Sequence, residues 1–370
     1  MKEKVYSLIV ALICVATASS AARSYGTYEL VIKNSSRPVN ELTAMVSKAF
    51  YGDEFRVRAV RTVGTPNIVR ERAADHCAYQ ARLIVLSHEG FTSKLVSYNT
   101  KYIVGALLRI AIYDNENGTQ VSIANPETAV RIIANDLDIE RYNSLARYAY
   151  RIKNKIRRVI TELDHKGVLS AQQIEPIREE DDLRVGSADI PWIIGDLTWF
   201  RDIDQTVVLR KVHTRGNGTL RFKTVLNEIK SQISRFAPVE SDRDYEHYTK
   251  LSDLKWKVVT VIKAVNRNAA VLGLTRERTE ALALDVVGKS REDDRNTCPG
   301  LDHASAFPIE IGVWEEGRYI YVGMLHPIVR LDQYFWDAGL IDMILNANFA
   351  GTLNLSLKLA VTGKKGGEQY

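Results

Sequence analysis

The chain has 370 residues, 45% hydrophobic and 26% charged, with 50 Lys and Arg against 45 Asp and Glu. That length suggests two domains of ordinary size. A net charge of +5 spread over so many charged side chains excludes a dedicated nucleic-acid binder, which shows a strongly basic face.

The chain opens with "MKEKVYSLIVALICVATASSAARS". Lys2 and Lys4 precede an apolar run from Val5 to Ala16, and small residues follow to Ala21-Ala22. A charged start, a short apolar centre and a small-residue exit mark residues 1–22 as a secretory signal peptide. The run is short for a membrane span, which needs ~20 apolar residues; retention as an anchor is the alternative. A lipoprotein modified on Cys14 is disfavoured, because bulky Ile13 stands where a small residue is required. The protein is therefore expected to be exported, periplasmic or secreted. Removing the segment leaves Cys77 and Cys298. The exterior permits a disulfide, but a chain this long also buries a core without one, so the pairing stays open.

Residues 27–135 read as a first module. "YELVIKN" reads as a strand, "RPVNELTAMVSKAF" as an amphipathic helix and "FRVRAVRTV" as the next strand. In "LLRIAIYDNENGTQVSIANP", Ile110, Ile112, Val121 and Ile123 alternate with other residues, the period of strands with one buried face. Asn117-Gly118 supplies positive φ angles for a tight turn, so the stretch is a β-hairpin. Pro126 then opens a helix.

Residues 136–204 read as a helical connector. Leu145, Ala149, Ile152, Ile156, Val159 and Leu163 form an apolar stripe at spacings of three and four, and Gly167 is the expected stop. A charged, hinge-like stretch, "EPIREEDDLR", follows. Next comes "SADIPWIIGDLTWF", whose Trp192, Trp199 and Phe200 are expected to dock on a module or to close the groove between the two.

Residues 205–345 repeat the first module's order. "TVVLRKVHT" is a strand, "RFKTVLNEIKSQISRF" a helix and "LKWKVVTVIKAV" a strand. The hairpin is "FPIEIGVWEEGRYIYVGMLHP", with Gly317 at its turn and Pro327 after it. A shared order of elements over so long a stretch points to duplication. Residues 346–370 read as a terminal strand and a flexible tail, "TGKKGGEQY". The fold class is α+β: two similar modules, each a mainly antiparallel sheet packed by helices, joined by a helical connector.

The stretch "ARLIVLSHEGFTSKLVSYNTKYIVGALLRIAIYDNENGTQVSIANPET" resembles the core of the bacterial and archaeal "domain of unknown function 302" family. "AVNRNAAVLGLTRERTEALALDV" and the second hairpin are similar to it again, so the resemblance implies two diverged tandem copies. It implies small α+β domains with helices on a mainly antiparallel sheet. It carries over no catalytic residue, because the family has no settled activity. Where the family pattern leads us to expect an Asp-His pair in the second copy, this chain has Val265-Asn266.

"ADHCA" and "CPGLDHAS" hold the best chemical constellation: Asp75, His76 and Cys77 with Cys298, Asp302 and His303. Two His and two Cys match a tetrahedral soft-metal site, with an Asp beside each His to orient it. Adjacent His76-Cys77 is a poor chelating spacing, however, and the plain reading is surface loops with an optional disulfide. A Cys–His nucleophile pair lacks any recognisable oxyanion hole or orienting group. Arg147, Arg151, Lys155 and Arg158 share a stripe of the connector helix that suits an anionic surface or plain solvation. "DNENGTQVSIANPE" lacks the ligand pattern of a calcium loop. "GNGT" at 216–219 is too short for a phosphate loop. His88 and His326 stand at strand ends, where a lone His is ordinarily structural.

No metal site and no cofactor is predicted. The leading expectation is a non-catalytic module binding a small ligand or a protein partner in the cell envelope, with the groove between the copies as the natural pocket. Nucleic acid is not expected as a partner, and membrane association is not favoured. The alternatives are a metal or thiol-redox protein using the Cys/His cluster, and an envelope structural protein.

Overall fold

The computed structural model describes residues 23–52, 54–69, 76–180, 183, 205–214, 216–235, 255–289, 298–338 and 356–363. Residues 1–22, Asp75, the Trp192–Phe200 segment, and residues 346–355 and 364–370 lie outside them; residues 356–362, expected in a terminal strand or tail, are helical.

The first module runs β1 (Ser24–Ser35), α1 (Val39–Ala49), β2 (Phe55–Thr62), β3 (Ala81–His88), α2 (Glu89–Tyr98), a 3-10 segment (Thr100–Ala106), β4 (Leu108–Asn115), β5 (Gly118–Ala124) and α3 (Pro126–Ile133). Helix α4 (Ile139–Thr161) and strand β6 (Val168–Glu179) follow. The second module runs β7 (Thr206–His213), α5 (Gly218–Arg235), β8 (Lys257–Lys263), β9 (Ala269–Thr275), α6 (Glu277–Lys289), a 3-10 segment (Pro299–Ala306), β10 (Ile309–Glu316), β11 (Tyr319–Leu325) and α7 (Pro327–Phe335).

All strand pairings are antiparallel. The first sheet has the order β2-β3-β4-β5-β1-β6 and the second β8-β9-β10-β11-β7. Apart from β6, the two orders correspond strand for strand. The fold class is therefore α+β, in two modules of like connectivity. Where β4, β5 and α3 begin at residues 108, 118 and 126, their counterparts β10, β11 and α7 begin at 309, 319 and 327.

The hairpin turn differs in detail from the expectation. Gly118 has φ +118°, but Asn117 does not enter the left-handed region. Instead Asn115 Oδ1 accepts the Asn117 N–H at 3.0 Å, a side-chain-closed turn that spares Asn117 the strained angle. The stop and the hinge also differ. Helix α4 buries Leu145, Ala149, Ile152 and Ile156 as its period requires, but it ends at Thr161, with Glu162 as its cap. Gly167 comes later, where a side chain would collide with Ile32 and Lys33 of β1. The charged "EPIREEDDLR" begins inside β6, which pairs with β1 along its length, and α4 packs on β1, α2 and α3. These elements thus extend the first sheet's body instead of forming a loose hinge.

Helices cover one face of each sheet: α1 lies against β3 and β4, and α5 against β8 and β10. The other faces turn toward each other. The 3-10 segment of the first module lies on β9 and β10, while that of the second lies on β3, β4 and β5. One continuous buried cluster consequently runs through both modules. The contact is close enough to forbid side chains at certain points. Gly64, following β2, sits so near the backbone carbonyl of Glu277 on α6 that an added Cβ would collide with it. We expect Gly64→Ala to lower stability by about 1–3 kcal/mol through overpacking, measured by urea unfolding. The same substitution at exposed Gly216 or Gly52 would lack that collision and reports only the cost of a positive φ.

Candidate functional site

Among the described residues, three groups of buried polar side chains lie where the two modules meet. At the centre, Arg109 on β4 forms an ion pair with Glu310 on β10, both side chains almost fully buried (3% and 5% exposed). The guanidinium also donates to Pro308 O at 3.1 Å and to Tyr334 Oη at 3.2 Å. Arg330 on α7 donates to the other Glu310 oxygen and to Ala306 O, and Tyr334 Oη donates to Glu310 at 3.4 Å. Burial opposes the charge on Arg109, but Glu310 and Tyr334 together outweigh it and the pKa is raised. The carboxylate is thus held between two arginines, as a buried charge requires.

A second node lies beside it. His303, in the 3-10 segment before β10, is fully buried. Its Nδ1 meets Asp302 at 2.7 Å and its Nε2 meets Asp337 at 3.0 Å. The ring stands edge-on to Tyr28 of β1 at 4.8 Å and stacks on Phe335 at 6.1 Å. Tyr28 Oη in turn donates to Tyr334 O at 2.9 Å and Thr27 Oγ1 to Gln333 O at 2.6 Å, tying β1 to the end of α7. Burial pushes the imidazole toward the neutral form. The two carboxylates push the other way and prevail, so its pKa is raised.

The third node closes the far side. Arg61 of β2 makes a two-pronged ion pair with Glu280 of α6, one prong at 2.8 Å. Glu280 also accepts the Gly64 N–H at 3.0 Å and the Thr275 hydroxyl. On the same side Cys77 and Cys298 form a disulfide, with Cα atoms 5.5 Å apart and a sequence separation of 221. Asn67 clasps the Cys77 backbone from both sides, accepting its N–H at 2.6 Å and donating to its C=O at 2.9 Å.

Of the six residues in the candidate metal constellation, the structure pairs Cys77 with Cys298 and Asp302 with His303. The further partner of His303 is Asp337, not His76, which lies exposed; Asp75 is outside the described residues. Both sulfurs are consumed by the disulfide and offer no thiolate while it lasts. Among the described residues no group of three or more His, Cys, Asp or Glu side chains is placed to hold a metal ion.

Among the described residues, one continuous buried cluster runs through the contact between the modules. A small apolar hollow beside the central node, bounded by Thr279, Phe307, Pro327, Arg330 and Phe335, has a free volume of about one water molecule. Along the α4 stripe, Lys155 pairs with Glu54 and Arg151 lies over the Tyr148 ring at 5.2 Å, while Arg147 is exposed and Arg158 is exposed too. His88 caps α2: its Nδ1 accepts the Phe91 N–H at 3.0 Å. The ring proton must therefore sit on Nε2, which meets Glu54 at 2.9 Å. Asn217 of "GNGT" caps α5 by accepting the Leu220 N–H at 3.1 Å. Val265, beside Asn266 in the β8–β9 turn, is 60% exposed.

Sequence reasoning missed Arg109, Glu280, Glu310, Arg330 and Asp337. A signal was present for two of them: "LLRIAI" and "FPIEIGV" each hold one charged residue among apolar neighbours, with the other charges of those strands confined to their far ends.

The second and third nodes can each be probed by unfolding. A His whose folded pKa is raised contributes stability that is complete below its unfolded value, about 6.5, and lost as pH rises through the folded value. Urea midpoints measured upward from pH ~6 should therefore fall in the native protein, and His303→Gln should flatten that fall. Replacing both cysteines by Ala should cost about 2–4 kcal/mol, since the bond closes a long loop; adding reductant to the native protein should reproduce the loss.

No family model matches the sequence, and no curated protein matches it. Among solved structures, the crystal structure of an uncharacterised conserved protein, DUF302, from Bacillus stearothermophilus is a neighbour. It shares 12% identity, with a TM-score of 0.30, and the match covers 36% of this chain and 96% of that one. A likeness of that size carries no argument about this chain.

Proposed function

We propose that this chain is an exported, non-catalytic binding protein, built from two diverged copies of one α+β module that pair within a single polypeptide. The observation that carries the reading is the disulfide between Cys77 and Cys298. It joins the two modules across their contact, and such bonds persist in oxidising compartments and are uncommon in the cytosol. The signal-like residues 1–22 lead to the same compartment. Like strand order in the two sheets supports descent from one duplicated unit.

Absence of catalysis is supported by how the buried polar groups are used. Glu310, Arg330 and Arg109 hold one another, His303 lies between two carboxylates, and Glu280 holds Arg61. A general acid or base has to reach a substrate, whereas these groups face protein.

The test is native mass spectrometry of the protein expressed with its leader in a bacterial host and recovered from the periplasm. The expected species lacks the leader, weighs two hydrogens less than the reduced chain and is unchanged by chelator. A metal lost on chelation and absent from His76→Ala or Cys298→Ala protein would overturn the reading in favour of metal chemistry.

A further inference from the structure

The two residues at the central node occupy the same position in their modules. Arg109 is the second residue of β4 and Glu310 the second of β10, and the hairpins and helices that follow stay in step. Each module also offers the other the same elements: its 3-10 segment packs on the facing sheet, reciprocally. That reciprocity is the mark of an approximate twofold, in which equivalent surfaces meet and a residue near the axis faces its own counterpart. Here the counterparts carry opposite charges, are almost fully buried and bond to each other. The neighbouring position is not shared. Arg330, fourth residue of α7, corresponds to Ala129, fourth residue of α3, so the second module brings its own counter-charge for Glu310 and the first brings none for Arg109.

We propose that residues 109 and 310 form the pairing code of this surface: they make the first module's sheet accept the second module's and reject a copy of itself. Two first modules would bury Arg109 against Arg109, with Ala129 on each side and no carboxylate between them. Two second modules would bury Glu310 against Glu310. The mixed pair places Glu310 between Arg109 and Arg330, whereas two first modules would bury two arginines with no carboxylate, and like charges brought together in a desolvated contact are strongly disfavoured. The surface thus takes one partner, a second module bearing Glu at the axial position, which the same chain supplies. This inference rests on the geometry of the contact and is independent of the compartment or ligand of the protein.

The test uses the full chain and four variants: Arg109→Glu, Glu310→Arg, the double exchange Arg109→Glu/Glu310→Arg, and the neutral pair Arg109→Gln/Glu310→Gln. Urea unfolding should show Glu310→Arg as the worst, because it gathers three guanidiniums at positions 109, 310 and 330, with a loss of roughly a hundredfold to several thousandfold in the folding equilibrium. Arg109→Glu should be milder, since Arg330 remains to share two carboxylates. The double exchange should recover most of the loss and exceed the neutral pair. The two single variants should then be reduced, unfolded together, refolded and reoxidised. In that mixture the glutamate introduced at position 109 of one chain meets the arginine introduced at position 310 of the other. The two unchanged residues, Arg109 and Glu310, meet in the second contact. A 1:1 exchanged dimer is expected by native mass spectrometry, with either variant alone giving none. A double exchange no more stable than the weaker single variant would overturn the proposal, and so would a mixture holding no more dimer than the variants alone. Should Glu310→Arg fail to fold, the comparison of the double exchange with Arg109→Glu and the neutral pair still decides.

Discussion

An arginine and a glutamate buried between two sheets set the terms for the rest of this molecule. Arg109 and Glu310 stand where water does not reach, so each needs the other to be tolerable there. Such a pair adds little stability relative to an apolar contact, but removing one partner leaves a stranded charge at a cost of about 3–5 kcal/mol. The contact is therefore far more intolerant of a wrong partner than it is strong. Neighbouring groups extend that intolerance: Arg330 and Tyr334 donate to Glu310, and Pro308 O and Tyr334 Oη accept from Arg109.

The remaining links between the modules fall around this centre and are of different physical kinds. Tyr28 and Thr27 hold the end of α7 by neutral hydrogen bonds. Arg61 and Gly64 hold Glu280 by charge and by backbone approach. Arg178, near the end of β6, reaches Asp332 on α7, and the disulfide closes the chain covalently. Salt weakens the exposed links more than the buried ones, reductant opens only the disulfide, and alkali withdraws the proton that lets His303 satisfy both Asp302 and Asp337. No one of salt, reductant or alkali acts on every link, because the links differ in physical kind.

Much of the fold was legible along the chain. The alternation in "LLRIAIYD" and "VSIAN" announced the hairpin, the stripe from Leu145 to Ile156 announced α4, and the two prolines marked where helices resume. Failures came where a local signal had more than one structural use. Gly167 reads as a helix stop, but a glycine is equally demanded by two backbones passing close, which is its use beside β1. "EPIREEDDLR" reads as a hinge because it is charged, but an edge strand also tolerates charge, since one of its sides faces solvent. The candidate site was legible only in part. Cys77 and Cys298 were visible as residues, and so was the Asp302-His303 pair, but Asp337 belongs to a different element and nothing in its own neighbourhood announces it.

By itself the sequence determined most of the elements, their order and the repetition of that order. These follow from periodicity and turn chemistry, which act between residues a few positions apart. Only the tertiary structure decided that the two sheets face each other, that Arg109 and Glu310 meet and that the cysteines bond. Each of those facts joins residues of different modules, up to 306 positions apart in the case of Thr27 and Gln333. Distance along the chain carries no information about such contacts: the chain reverses at every turn, and burial, charge and shape then select which distant surfaces remain together.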